Sequence, residues 1–144
     1  FATIIVQGLG LKPMANDKFT DVDAGSWYAQ YIGTANIYGI VNGNTETTFN
    51  PNGTITKQEA ATMITRAAKL CGMNTEVDKG AVRDILAQFI DYVITDDWAR
   101  ESMAFCYQQN IIDQSELEIQ PHALIRRCEI AQMLFNMLGL ANLL

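Results

Sequence analysis

Basic residues are scarce in this chain. Ten lysines and arginines stand against 16 aspartates and glutamates, which leaves a net charge of −6 and a pI near 4.6. That balance excludes the broad positive surface that draws a protein onto nucleic acid or anionic lipid. Long apolar runs are missing as well: no stretch approaches the ~20 residues a membrane-crossing helix needs, so no membrane insertion is expected. The opening Phe1-Ala2-Thr3-Ile4-Ile5-Val6 has no basic flank of the kind that starts a signal peptide, and it reads as cut from something longer. Histidine occurs once, at His122, with no serine or cysteine assignable to it as a nucleophile, so acid-base and nucleophilic catalysis have no support. The three cysteines, Cys71, Cys106 and Cys128, are odd in number and widely spaced. Neither a disulfide framework nor a zinc site follows from them, and each falls in an apolar helical pattern as a small buried hydrophobe.

What remains is the composition of a folded protein, 49% apolar and 18% charged with three prolines and no low-complexity tract. Its 144 residues hold one ordinary domain, or two to three small units sharing a core.

The chain repeats itself. Phe19-Thr20-Asp21-Val22, Trp27, Gly39-Ile40-Val41-Asn42-Gly43, Phe49-Asn50-Pro51 and Ile55-Thr56-Lys57-Gln58-Glu59 follow one another in order. They are echoed by Phe89-Ile90-Asp91-Tyr92, Trp98, Asn110-Ile111-Ile112-Asp113, Gln120-Pro121 and Ile125-Arg126-Arg127-Cys128-Glu129. From tryptophan to the Gly39 or Asn110 position is 12 residues in both, and from proline to the next isoleucine is 4 in both. Ala60, Met63, Ile64 and Ala67, like Ile130, Met133, Leu134 and Met137, recur at the helical period and mark one core-facing stripe each. Phe1, Ile4, Ile5 and Leu9 carry a similar stripe, the end of a copy whose beginning is missing.

Local chemistry gives each copy a helix, a loop and a helix. A first helix is expected over 26–38, with Gly39 at its left-handed end and Asn110 doing the same work in the other copy. Residues 42–54, rich in Asn, Gly and Thr, form an exposed loop with a short extended piece at 47–49. Thr56 and Glu59 make the capping box that opens the second helix, whereas Arg126 cannot cap in that way.

These ordered elements resemble the S-layer homology repeat: Phe-x-Asp-Val, a tryptophan, Gly-Ile-Val-x-Gly, Phe-x-Pro, and an Ile-Thr-Arg-Ala-Glu-like stretch opening an apolar helix. On this resemblance residues 1–15 are the last helix of a truncated first repeat, 16–78 a complete repeat and 79–144 a divergent one. The expected fold is all-α, with tandem helix-loop-helix repeats packed as a pseudo-threefold bundle and loops projecting from it. The resemblance further implies a non-catalytic module that holds a secreted protein on the bacterial cell wall. It would bind an acidic polysaccharide, often one bearing pyruvyl groups, in grooves between repeats and without a cofactor. The family's central basic residue falls on Lys57 and Arg127. Because repeat units bury their apolar faces only against one another, a second copy of the chain or a missing repeat segment is expected to cover the truncated first repeat.

The remaining candidates have two readings each. Asp21 and Asp91 suit hydrogen bonds to sugar hydroxyls, and equally the ordering of a turn. Trp27 and Trp98 suit stacking on a sugar ring, but their apolar flanks favour core anchors. Gly43 lets the loop backbone approach a sugar closely, and the shortened second loop has no counterpart of it. Lys57 and Arg127 stand beside helix starts, where the dipole repels a cation unless an anion is present; Arg126 reads as a solvated surface charge. Glu59 and Glu129 are caps rather than a glycosidase pair, since no sheet or barrel is evident to hold two carboxyls across a sugar. Thr48, Asn50, Asn52, Gly53, Ile55 and Glu59 mimic the frame of a calcium loop, but only Glu59 would bring charge, so no metal site is expected. Lys57, Asn110 and Arg126 depart from the family pattern. That drift supports the alternative function, a protein-interaction or structural module that keeps the scaffold without the sugar.

Overall fold

Five helices of the computed structural model stop in the same way. A residue in the left-handed region follows each of them: Gly10 (φ 66°), Gly39 (φ 73°), Gly72 (φ 88°), Asn110 (φ 56°) and Asn142 (φ 59°). The next amide then reaches back five residues, from Leu11 to the Val6 carbonyl (3.1 Å), Ile40 to Ala35 (2.8 Å), Met73 to Ala68 (3.1 Å), Ile111 to Cys106 (2.8 Å) and Leu143 to Leu138 (2.9 Å). This closure satisfies the orphan carbonyls and turns an apolar residue back onto the helix. Ile40 and Ile111 are accordingly buried.

The structure describes residues 1–143; Leu144, at the end of the third expected repeat, lies outside them. The helices are α1 (Ala2–Gly8), α2 (Ala29–Ile37), α3 (Lys57–Leu70), α4 (Lys79–Leu86), α5 (Asp97–Gln108) and α6 (Arg127–Leu140), with a 3-10 turn at Tyr92–Ile94. Among the described residues the only sheet-like feature is an isolated antiparallel bridge between Thr56 and Leu124, so the all-α expectation holds. The capping box of α3 is present: the Glu59 amide donates to Thr56 Oγ1 (3.3 Å) and the Thr56 amide to Glu59 Oε1 (3.1 Å). The Arg126 side chain offers no acceptor, and Glu129 takes bonds from its Nε (2.8 Å) and its amide (3.4 Å) instead.

Two compact units divide the chain, Phe1–Gly53 and Thr54–Leu144. In the first, α1 packs on α2; in the second, α3 packs on α5 and α6, and α4 on α5. The division at Gly53 falls inside the expected repeat 16–78, so the helices that pack are the second of one copy and the first of the next. In the first unit the segment 14–16 lies directly on α2. The Met14 amide donates to Thr34 Oγ1 (2.6 Å), and a Cβ on Gly33 would stand 2.6 Å from the Met14 carbonyl oxygen. In the second unit Ala61 and Thr65 of α3 meet Cys106 of α5. Ile64, Met103 and Met137 are fully buried there, each contributing roughly 1.5–3 kcal/mol by transfer from water.

Several expectations are corrected. The first helix is shorter than 26–38, and α4 and the 3-10 turn were not foreseen. Residues 47–49 form no strand; the Thr47 carbonyl accepts from the Thr20 amide (2.7 Å) and that of Thr48 from Asn44 (2.8 Å). α1 buries Ala2, Ile5 and Val6, so its inward face is rotated from the expected stripe. Cys128 is exposed rather than buried, because it stands on the outer face of α6. The core reading of the tryptophans also fails. Trp27 is 73% exposed and Trp98 57%. Trp27 precedes α2, whose inward positions Ala29, Gly33 and Ala35 pack too closely to admit an indole. Trp98 sits in the first turn of α5, whose inward positions are Ala99, Met103 and Cys106.

Candidate functional site

Lys57 and Arg127 are each the first residue of a helix, α3 and α6, at equivalent places in the two copies. The two helix starts lie side by side. The Ile125 amide donates to the Ile55 carbonyl (3.1 Å), and the amides of Lys57 and Gln58 donate to the carbonyls of Ala123 (2.9 Å) and Pro121 (3.0 Å). With Glu59 bonded to Thr56, the first three amides of α3 are all occupied, so this helix start offers no open cradle for an anion. α6 differs. Neither the Arg127 nor the Cys128 amide has a partner among the described residues, since the Arg126 guanidinium carries no acceptor that could cap them.

The two cations also differ in their surroundings. Lys57 is half-buried, and its Nζ donates to Tyr107 Oη (3.3 Å) while lying 5.7 Å from the centre of that ring. Burial lowers the Lys57 ammonium from its ordinary range, opposed by the nearby carboxylates of Glu129, Glu116 and Asp91. Burial also raises the Tyr107 phenol, which therefore stays protonated and keeps its dipole available to Lys57. Arg127 is exposed and has no ion pair or side-chain hydrogen bond among the described residues. Arg126 is exposed but paired with Glu129.

Asp21 and Asp91 do the same thing 70 positions apart. Asp21 accepts from the amides of Phe49 (2.8 Å) and Asn50 (2.7 Å), and Asp91 from those of Ile119 (2.7 Å) and Gln120 (2.9 Å). Each carboxylate thus ties the loop ahead of the proline to the segment ahead of the first helix. The residues held, Asn50 (φ 61°) and Gln120 (φ 52°), are both left-handed. Such backbone costs about 1–2 kcal/mol in an L-residue, and charge-assisted bonds to the adjoining amides offset it. The Phe49 and Asn50 amides hold the Asp21 carboxyl below the usual carboxylate range.

Gly43 has φ 90° and stands against the Phe19 ring. A Cβ there would also lie 2.8 Å from the Thr48 carbonyl oxygen and 2.9 Å from that of Thr45. Trp27 is bounded by its own neighbours, edge-on to Tyr28 (5.5 Å) and Tyr31 (6.5 Å), and its outer surface faces solvent. Trp98 makes no ring contact among the described residues. Of the candidates, the structure brings Lys57 and Asp91 into electrostatic reach within the second unit.

Three residues around the start of α3 were not foreseen as a group. Gln58 Nε2 donates to Asp96 Oδ2 (2.7 Å), the Asp96 amide returns a bond to Gln58 Oε1 (3.1 Å), and His122 Nε2 lies 3.5 Å from the same carboxylate. The Gln58 bond, then His122, hold Asp96 below the usual range. Tyr107 was also missed. Its signal was a tyrosine inside the apolar stripe of α5, because a buried phenol needs a polar partner.

The residue pattern of the S-layer homology domain family matches residues 18–61. The exoglucanase XynX of Acetivibrio thermocellus is 30% identical over 144 residues, which are 99% of this chain and 13% of that protein. The surface-layer 125 kDa protein of Lysinibacillus sphaericus is 31% identical over 134 residues, 90% of this chain and 10% of that protein. The middle cell wall protein of Brevibacillus brevis is 36% identical over 72 residues, 46% of this chain and 7% of its own length. The chain therefore spans about a tenth of the length of these relatives. The staple from Asp21 to Phe49 and Asn50, Gly43 and the box at Thr56 and Glu59 are the parts of the matched segment that the structure explains, and residues 18–61 are an S-layer homology domain.

Proposed function

We propose that this chain is a non-catalytic, extracellular anchoring module that binds an acidic bacterial cell-wall polysaccharide without covalent attachment. The observation that carries the reading is Arg127. It is an exposed guanidinium without a counter-ion among the described residues, at a helix start whose first two amides are also unpartnered. A cation against the positive end of a helix dipole is unfavourable until an anion arrives, and a guanidinium can then grip a carboxylate with two parallel bonds. A pyruvyl-type carboxylate on a sugar is such an anion. Lys57 supplies the related contact at α3, where the amides are already committed and the ammonium alone attracts the ligand. Trp27 and Trp98 stack on sugar faces, which their exposure permits. Asp21, Asp91 and Gly43 act on the ligand by holding the loops in shape for it.

The resemblance to surface-layer and cell-wall proteins supports the location, and a pseudo-threefold bundle belongs to the same proposal. The exoglucanase shares only 13% of its length with this chain, which fits a module accessory to catalysis elsewhere. Retention on purified cell-wall sacculi tests the reading. We expect binding to sacculi carrying their polymer, loss on stripped sacculi, and a fall of about tenfold or more in Arg127→Ala, the scale of one desolvated charge-assisted pair. Equal retention on stripped sacculi overturns it. Unchanged retention in both Lys57→Ala and Arg127→Ala favours the alternative, a protein-interaction module on the same scaffold.

A further inference from the structure

The linker after α3 is longer than the one after α1: 9 positions separate Gly10 from Phe19, and 17 separate Gly72 from Phe89. The added residues fold as α4, capped where Asp78 Oδ1 accepts from the Ala81 amide (2.9 Å), and α4 packs on α5. Between α4, the 3-10 turn and α5 lies a cleft of about 630 Å³ whose walls include Val82, Leu86, Tyr92, Lys79, Arg83 and Arg100. Small-molecule sites span about 300–1,000 Å³.

The charged groups of the cleft divide into committed and uncommitted ones. Glu101 Oε1 accepts from the Val77 amide (3.0 Å). Arg100 donates to the carbonyls of Thr95 (2.9 Å) and Val93 (3.1 Å) and faces Asp97 at 3.2 Å. Lys79 has no hydrogen bond or ion pair among the described residues, and Arg83 reaches only Asp84, at 4.0 Å. The one uncommitted charge is therefore a cation, Lys79, and Arg83 is held only by an exposed carboxylate at the limit of an ion pair.

We propose that this cleft binds an acidic sugar residue of the hexuronate class, at a site separate from the starts of α3 and α6. A sugar ring has an apolar C–H face, which the half-exposed Tyr92 ring can stack against. Its hydroxyls suit the mixed donors and acceptors of Arg100 and Asp97. Its single carboxylate suits the unpaired Lys79, with Arg83 beside it on α4. A polyphosphate would meet Asp97 and Glu101 as like charges. The proposal does not depend on the roles of Lys57 or Arg127.

The test is a titration of the isotope-labelled chain with trigalacturonic acid, followed through amide chemical shifts, with maltotriose as neutral comparator. We expect saturable shifts within 77–86 and at Tyr92 from the acidic trisaccharide alone, unchanged in Lys57→Ala. The Lys79→Glu/Arg83→Glu variant should weaken binding about tenfold or more. Both residues are outside the core, and circular dichroism checks that this variant folds; Tyr92→Leu, which keeps bulk and removes the ring, should weaken binding too. Absent shifts at α4, equal shifts from maltotriose, or undiminished affinity in both variants overturn the proposal. Because the cleft shares no residue with the starts of α3 and α6, wall retention and this titration fail independently.

Discussion

Asp21 and Gly43 answer, from opposite directions, the question of how a loop rich in Asn, Gly and Thr holds one shape. The carboxylate of Asp21 pins the loop's exit through Phe49 and Asn50, and the missing side chain of Gly43 lets its entry turn against Phe19. Gly43→Ala should destabilise the first unit by roughly 2–5 kcal/mol, the sum of a left-handed Ala and a crowded Cβ. Denaturant unfolding checks this, and a variant within 0.5 kcal/mol of the parent (about the spread of ordinary surface substitutions) would contradict it. Asp21 adds a pH dependence. Its folded-state pKa is lowered, so its contribution is complete above the ordinary carboxylate range near ~4 and disappears as pH falls through the lowered value. Protection of the Phe49 and Asn50 amides relative to intrinsic exchange should therefore fall on acidification, and in Asp21→Asn that pH-dependent loss should vanish.

At the scale of the element, what was legible is what is local. Gly39, Asn110, Thr56 and Glu59 announce helix ends because caps and left-handed stops are decided by a few neighbouring atoms, and the structure places all four as expected. Trp27 and Trp98 misled because their burial depends on what faces them, and small residues at Ala29, Gly33 and Ala99 leave no pocket for an indole. α4 escaped notice because its eight residues make little more than two turns, too short a window for a helical period to stand out from a linker. The Gln58, Asp96 and His122 cluster joins three distant segments, and no spacing in the chain foretells it. Comparison of equivalent helices adds something further. Gln58, Ala61 and Thr65 of α3 are buried, whereas Cys128, Ala131 and Phe135 at the corresponding places on α6 are exposed, Phe135 at 59%. A bare apolar stripe of this kind favours association. Sedimentation coefficients should rise with concentration, and Phe135→Glu should hold the chain monomeric; a wild type that sediments as a monomer at every concentration would show that this stripe is not a self-association surface.

For the molecule as a whole, the difficulty is that a chain of net charge −6 is proposed to hold an acidic polymer. Two opposing electrostatic effects differ in range. Repulsion between the net charges acts over the Debye length, ~20 Å at 20 mM salt and ~8 Å at 150 mM, so salt removes most of it. The contacts at Lys57 and Arg127 act within a few ångströms, and the half-buried Lys57 is shielded from ions by Tyr107 and its surroundings. Salt should therefore weaken the attraction less than the repulsion. Retention on polymer-bearing sacculi at 150 mM sodium chloride should equal or exceed that at 20 mM. A basic protein neutralising many polymer charges would behave in the reverse way, losing orders of magnitude over such a range through counterion release. A steep loss of binding between those two salt concentrations would mean that diffuse charge, rather than a few placed cations, carries the interaction, and that Lys57 and Arg127 are not the residues that matter.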